Sequence, residues 1–414
     1  MKSSYKLLGN FIREVNNRDR DITIDRLLGV SIRKKFIPSI ANIIGTDMST
    51  YKIVKRNQFA YGPITSRNGD KISIALLGEY DEAIISQAYT SFEIKDANDL
   101  LPEYLMMWFR RPEFDRYTRF MSHGSAREIF GWDEMCNTLL PVPSLDDQIK
   151  AVNEYNLIES RIETNIKFIQ KLQEATLAIY DQWFVDYEFP GEDGYPYKSN
   201  GGEMTIIENL EVEIPKGWQL KKLSDFCDVK GGKRLPKGSD LNDEMVGVPY
   251  IKVADMGENK FLTLHEDIQY VDNETQKSIS RYIVSEGDII ISIVGTIGLI
   301  NVIDETLSSA NLTENCVKLT NFKEVNSDFI YQYLSSTNGQ RIIDTKIVGG
   351  VQEKLPLYNI HSIPVILPNN QLMDRFESIT SGMNSLLKNL TAQNVKLNSL
   401  KSLLLSKIAT IECS

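Results

Sequence analysis

From Ile149 to about Phe184 the apolar side chains recur at Ile158, Ile162, Ile166, Ile169, Leu172, Thr176, Ile179 and Trp183. The steps are threes and fours, which puts these positions on one face of a helix. A second series runs through Leu372, Phe376, Ile379, Met383, Leu386, Leu390, Leu397, Leu400, Leu404, Ile408 and Ile411. Neither series contains proline, and Gly382 is the one interior glycine. At 1.5 Å per residue such helices span roughly 50–60 Å. A long helix with a narrow apolar stripe needs a partner, and each series can supply one for the other; the alternative is that each packs on its own globular unit. Elsewhere the pattern changes to short β-branched runs (Lys71 to Leu77, Asp288 to Val294, Cys316 to Leu319) mixed with short helical patterns (Pro102 to Arg110, Ser327 to Ser335). The expected class is α+β.

The chain also repeats itself at an interval of about 225 residues. His123-Gly-Ser-Ala-Arg-Glu-Ile129 precedes Leu140-Pro-Val-Pro143 and the first long helical pattern; Val348-Gly-Gly-Val-Gln-Glu-Lys354 precedes Ile366-Leu-Pro368 and the second. Gly124 corresponds to Gly349, Arg127 to Gln352, Glu128 to Glu353, Pro143 to Pro368 and Arg116 to Arg341. A repeat this long buries its own core, so two globular units of one fold are expected, each followed by a helix. The expected segments are 1–143, a helix over 144–190, a connection plus second unit over 191–368, and a helix over 369–414. Within the connection, Phe189 to Gly202 holds two prolines and four glycines, the signature of an irregular segment.

Charge refines this picture. The whole chain carries −10, which argues against a stand-alone nucleic-acid binder. The deficit is uneven: residues 1–143 come to +2, 144–190 to −5, 191–368 to −9 and 369–414 to +2. The opposite signs of the two helical segments favour their pairing weakly. If the chain touches DNA, a partner must supply much of the phosphate-neutralising charge. The N-terminus lacks the apolar core of a signal peptide. The longest apolar stretch, Ile289 to Ile303, is broken by Ser292, Gly295, Thr296, Gly298 and Asn301 and reads as buried strands. A cytosolic protein with no membrane partner is expected. The four cysteines and three histidines are scattered, without metal-ligand spacing, so no metal site is expected.

Catalytic motifs are missing. There is no Walker-type phosphate loop, nucleophile elbow, H-E-x-x-H or calcium loop. Gly231-Gly232 and Gly295-Thr-Ile-Gly298 do not fit a dinucleotide fingerprint and read as turn glycines beside buried strands.

One set of motifs carries a family resemblance. Gln182-Trp-Phe-Val-Asp-Tyr-Glu-Phe-Pro190, Gly194-Tyr-Pro-Tyr-Lys-Ser-Asn-Gly-Gly-Glu-Met204 and Ile214-Pro-Lys-Gly-Trp-Gln-Leu-Lys-Lys-Leu223 resemble the central region of type I restriction-modification specificity subunits. Glu286 to Gly298, Tyr51 to Pro63 and Lys71 to Ala75 are similar to strands of that family's target-recognition domains, and the two proline-containing junctions resemble its domain-to-helix joints. The N-terminus departs from the pattern, with no counterpart of Pro215-Lys-Gly-Trp218 before Leu7. The resemblance implies two pseudo-repeated α/β target-recognition domains separated by two long helices that form an antiparallel coiled coil. It implies a non-catalytic subunit that recognises double-stranded DNA, each domain reading half of a bipartite site and the helices setting the spacer. The implied partners are two modification subunits, which bind S-adenosylmethionine and methylate adenine, and restriction motor-nuclease subunits, which use ATP and magnesium. A fused enzyme and a coiled-coil adaptor for proteins are the competing classes.

Within this scheme the polar loops are the candidate DNA contacts. Arginine suits guanine O6/N7 and glutamine suits adenine N6/N7, each through paired hydrogen bonds. Ser122, Ser125 and Arg127 in the first unit and Gly350, Gln352 and Lys354 in the second are candidates on that ground; the alternative is that these side chains cap the next helix or pair with Glu128 and Glu353. Tyr61, Thr65, Ser66 and Arg67 lie on a Gly/Pro-bounded loop that could face the groove. Lys230, Lys233, Arg234 and Lys237 form the most basic stretch of the acidic second unit, suited to phosphate or simply solvated.

Overall fold

The structure is a computed structural model that describes residues 5–20, 24–39, 47–66, 69, 71–124, 128–207 and 212–410. It divides into two compact units, residues 1–162 with 397–414, and residues 163–396. The division falls inside the long helices, because each unit is completed by part of both.

The two units share one topology. Helices Pro102–Phe109, Pro112–Met121 and Trp132–Cys136, strand Leu139–Pro141 and the long helix Leu145–Tyr180 make up one series. Its counterparts are Ser327–Ser335, Thr337–Lys346, Leu357–His361, Pro364–Leu367 and Asn370–Lys407, each beginning 225 residues later. Local chemistry sets these starts. Pro102 and Pro112 occupy first-turn positions that need no N–H donor, while Asn326 and Ser336 accept from Phe329 N and Gly339 N. The long helices start alike: Ser144 Oγ accepts from Asp147 N at 3.3 Å and Asn369 Oδ1 from Leu372 N at 2.8 Å.

In the first unit an antiparallel sheet runs Ile12–Val15, Thr90–Ile94, Gln58–Tyr61, Ile74–Leu76. The second unit repeats it as Asp228–Gly231, Cys316–Thr320, Ile289–Ser292, Ile300–Ile303, and adds Phe261–Leu262 parallel to the last strand. A second sheet in each unit holds one parallel pair, Leu27–Val30 with Glu82–Ile85 and Val248–Ile251 with Asn311–Leu312. The strand that leads to each long helix pairs with an early strand of its unit: Leu139–Pro141 with Tyr5–Leu7, and Pro364–Leu367 with Gln219–Lys222. All four residues of Ile289–Ser292 are buried, as a strand covered on both faces requires.

The cores differ in composition. Phe59, Phe92, Phe109, Phe114 and Phe130 interlock in the first unit, with Phe59 and Phe92 stacked at 4.8 Å. The second unit's sheet is filled by isoleucine and valine; its rings gather at the helix junction, where Phe184 meets Phe329 and Phe376 at 5.1 Å each.

The long helices pair antiparallel, since partners step down one as they step up the other. Within the first unit Glu159 meets Lys401 at 2.9 Å. Within the second, Asn165 donates to Asn394 at 2.9 Å, and Thr176 contacts Met383 at 3.5 Å. The buried positions of the central helix include Tyr155, Ile162, Ile169 and Thr176, a seven-residue step suited to a two-helix seam. This corrects part of the stripe read from the sequence. Ile166, Ile379, Leu386 and Leu400 are exposed, and Asn165, Thr380 and Leu387 are buried instead. Small polar groups that satisfy one another fit the narrow seam, whereas an apolar count passes over them. Ile411 lies outside the described residues.

Candidate nucleic-acid interface

The repeated polar loops are built the same way. In the first unit His123 and Ile129 exchange both backbone hydrogen bonds, at 3.1 and 2.9 Å, and Phe130 N donates to Pro63 O at 2.8 Å. In the second, Val348 and Lys354 exchange theirs at 2.9 Å each, and Leu355 N donates to Ile293 O at 3.0 Å. Each loop is thus closed at its base by a two-residue bridge and stitched to the chain leaving a central strand, at Ile64 in one unit and Val294 in the other. Gly124 and Gly349 stand at the same turn with φ of 132° and 114°. A side chain is disfavoured there twice over at Gly349, where an added Cβ would lie 2.4 Å from Gln352 O.

The proposed side chains divide. Gln352, Gly350 and Lys354 are exposed on their loop, and Val351 beside them is fully exposed. Ser66 is exposed. Arg67, Ser125 and Arg127 lie outside the described residues. Three candidates are corrected. Tyr61 is wholly buried, packed edge-on against Phe92 and Phe130, and burial pushes its phenol up; it serves the core. Thr65 is 2% exposed; its backbone N–H donates to Glu128 O at 3.0 Å and its hydroxyl to Ser122 Oγ at 2.9 Å. Ser122, half-buried, passes its own proton to Thr118 O at 2.6 Å. Thr65 and Ser122 therefore fasten the loop. The Glu128 carboxylate is engaged by Arg119 of the preceding helix at 2.9 Å.

The basic stretch of the second unit is exposed at Lys230, Lys233, Arg234 and Lys237, but two of its cations are held by carboxylates. Lys230 pairs with Asp228 at 2.9 Å and Arg234 with Glu314 at 2.6 Å. Lys233 lies 5.9 Å from the Tyr282 ring centre. Burial opposes the Glu314 charge, yet the hydrogen bonds from Arg234, Thr313 and its own backbone outweigh it and hold this carboxyl below its ordinary range. Sequence reasoning missed Glu314 and Asn315. No local pattern marks them: the structure presses Gly232, where a Cβ would lie 1.9 Å from Thr313 O, against residues 312–316.

Among the described residues no helix is long and apolar enough to cross a membrane, and no cluster of three or more His, Cys, Asp or Glu is placed to hold a metal ion.

The chain thus holds two α+β units of one topology, each with an exposed polar loop and each completed by part of both long helices. Residues 215–401 match the family described as the type I restriction modification DNA specificity domain. Over most of its length the chain is similar to the HindI specificity subunit of Haemophilus influenzae, a type I restriction enzyme subunit, at 23% identity over 92% of each chain. It is also similar to the MjaIX specificity subunit of Methanocaldococcus jannaschii, at 22% identity over 78% of this chain and 71% of that one. The fold matches the crystal structure of a type I restriction-modification S subunit from M. genitalium, with a TM-score of 0.53, 14% identity and coverage of 99% and 96%.

Proposed function

We propose that this chain is the DNA-reading subunit of a cytosolic type I restriction-modification complex and has no catalysis of its own. Each globular unit reads one half of a split site in double-stranded DNA, and the helix pair sets the unread spacer. Two modification subunits carrying S-adenosylmethionine dock on it and methylate adenine, and motor-nuclease subunits using ATP and magnesium complete the restriction enzyme. The observation that carries this reading is the doubled loop edge, closed by the same backbone bonds and the same positive-φ glycine in both units.

Supporting features follow from the same framework. The exposed Ile166, Phe168, Ile379 and Leu386 leave apolar helix surface that a partner subunit would cover. The −10 charge fits a subunit that leans on partners for phosphate neutralisation. On the loops, Gln352 and Arg127 contact bases, with Ser66, Arg67, Ser125, Gly350 and Lys354 beside them, and Lys233 and Lys237 contact phosphate.

The test is methylation by the purified chain alone and after assembly with its modification subunits, with S-adenosylmethionine present. Assembly should give adenine methylation at one split sequence, and the chain alone should give none. Methyl transfer by the chain alone, or no sequence preference after assembly, overturns the reading. One heptad added to both long helices, near Ile166 and near Leu390, lengthens the pair by roughly 10 Å, about three base steps. The spacer should change and both half-sites should stay the same.

A further inference from the structure

We propose that Arg234, braced by Glu314, reads a base pair in the second unit's half-site instead of contacting a phosphate, with Glu314 as its positioning residue. The proposal rests on the DNA-reading function given above and assigns a reader to the second unit beyond the 349–353 loop.

The root of Arg234 is fixed first. Gly232 N donates to Cys316 O at 2.9 Å and Lys233 N to Leu312 O at 2.8 Å, so the backbone just before Arg234 is laid against residues 312–316. Only glycine permits that approach. The head group is fixed next. Arg234 Nε donates to Glu314 Oε1 at 2.6 Å, and Thr313 Oγ1 donates to Glu314 Oε2 at 3.1 Å, which steadies the acceptor. With Nε engaged, the two terminal nitrogens remain as a forked pair of donors. That fork matches guanine O6 and N7. The side chain is nevertheless 81% exposed, so the fork faces solvent at the rim of a concavity of about 400 Å³ that Tyr250, Lys252, Thr313 and Asn315 also line.

The location is continuous with the loop edge. Ile293 N donates to Asn315 O at 2.8 Å, and Ile293 O accepts from Leu355 N at 3.0 Å. Asn315, next to Glu314, and Leu355, at the base of the loop that carries Gln352, are therefore both bonded to the same residue at the end of the central strand.

The brace itself argues for a base over a phosphate. A phosphate contact needs only positive charge, and a carboxylate hydrogen-bonded to the same guanidinium would sit beside the phosphate and repel it. A guanine edge is neutral, tolerates that carboxylate, and gains from a fork whose orientation is fixed in advance.

The experiment is a methylation panel of single-base variants across both half-sites, using the chain assembled with its modification subunits and S-adenosylmethionine, at two or more salt concentrations. Arg234→Lys keeps the charge and loses the fork. It should cost about 10- to 100-fold in discrimination at one G·C pair of one half-site, with other positions and the salt slope unchanged. Glu314→Gln should weaken discrimination at the same pair by less. The melting temperature of Arg234→Lys should match the unsubstituted protein, since the Arg234 side chain is exposed. If Arg234→Lys leaves every preference intact while Arg234→Ala weakens all sequences alike and reduces the salt slope by about one, Arg234 is a phosphate contact and the proposal fails. It fails equally if neither substitution changes anything. An unsubstituted complex without sequence preference would sink the DNA-reading function itself, a result distinct from either of these.

Discussion

In the first unit the central helix is fastened by a neutral side chain. Gln148, fully buried, accepts from Leu101 N at 2.8 Å and donates to Asp99 O and Pro143 O at 3.0 Å each. In the second unit both long helices are fastened through a buried ion pair. Lys260, 3% exposed, pairs with Asp328 and donates to Asn384 Oδ1 at 2.8 Å. Asn384 and Thr380 of the C-terminal helix donate to Asp328 Oδ2 at 2.9 and 3.1 Å, and Gln173 of the central helix accepts from Lys260 N at 2.8 Å. The first unit also owns a buried pair, Lys34 with Asp115 at 2.7 Å, but spends it inside its globular part, on Phe109 O and Ile72 N. One topology, repeated at a constant interval, is thus held to its helices by unrelated chemistry. The repeat preserves backbone paths, the polar cap before each long helix and the positive-φ glycine; the side chains that join domain to helix are free to differ.

That contrast is broken most severely at Asp328. Burial drives the Lys260 pKa down against the pull of Asp328, so removing the carboxylate strands a cation that the site cannot solvate. Asp328→Ala should cost about 3–5 kcal/mol, read as a lower midpoint in urea or thermal unfolding. The paired change Lys260→Met with Asp328→Leu should recover most of that loss, since an apolar pair of similar volume is often no less stable. Failure of the pair to recover would show that Asn384 and Thr380 need a charged partner.

Gln148→Ala removes three hydrogen bonds but no charge. It leaves Leu101 N, Asp99 O and Pro143 O to find other partners, at about 1–3 kcal/mol. A cost equal to that of Asp328→Ala would erase the distinction between the two fastenings. Gln352→Ala moves the comparison to the loops. It should leave the melting temperature unchanged and cost roughly 1–3 kcal/mol of discrimination at one position of one half-site, measured by methylation of single-base variants. A fall in melting temperature with an unchanged preference profile would make this loop structural.

The sequence made the repeat legible because its markers are backbone requirements: Gly124 and Gly349 at a left-handed turn, and the polar cap and proline junction before each long helix. The long helices were legible from their apolar steps. The seam was only half legible, because the burial of Asn165 against Asn394 depends on a partner 229 residues away, which no local pattern encodes. Tyr61 and Thr65 misled for a related reason: a Gly/Pro-bounded polar segment looks like an exposed loop, and the bonds to Ser122 and Glu128 that bury Thr65 are long-range. Sheet order was beyond reach, since strands of two to five residues carry too little periodicity to specify neighbours. The Arg234–Glu314 brace spans 80 residues and becomes visible only once Gly232 is seen pressed on Thr313.

The smallest expected effect compares the helix seam within each unit. The second unit joins it by amides, Asn165 to Asn394, which do not titrate; the first joins it by Glu159 and Lys401. Burial opposes the Glu159 charge, but the hydrogen bond and charge of Lys401, with Tyr155 and Arg110 nearby, outweigh it and hold the carboxyl below its ordinary range. A carboxyl with a depressed folded-state pKa contributes stability above its unfolded value, about 4.3, and that contribution is lost as pH falls through the lower folded value. Both partners are about a quarter exposed, so solvent keeps the effect under about 1 kcal/mol. Glu159→Gln should therefore narrow the difference in unfolding free energy between pH 7 and pH 3, where Asn165→Ala should leave that difference unchanged even as it lowers stability at both values. A pH dependence untouched by Glu159→Gln would place the acid sensitivity elsewhere, and the two halves of the seam would then differ in geometry alone.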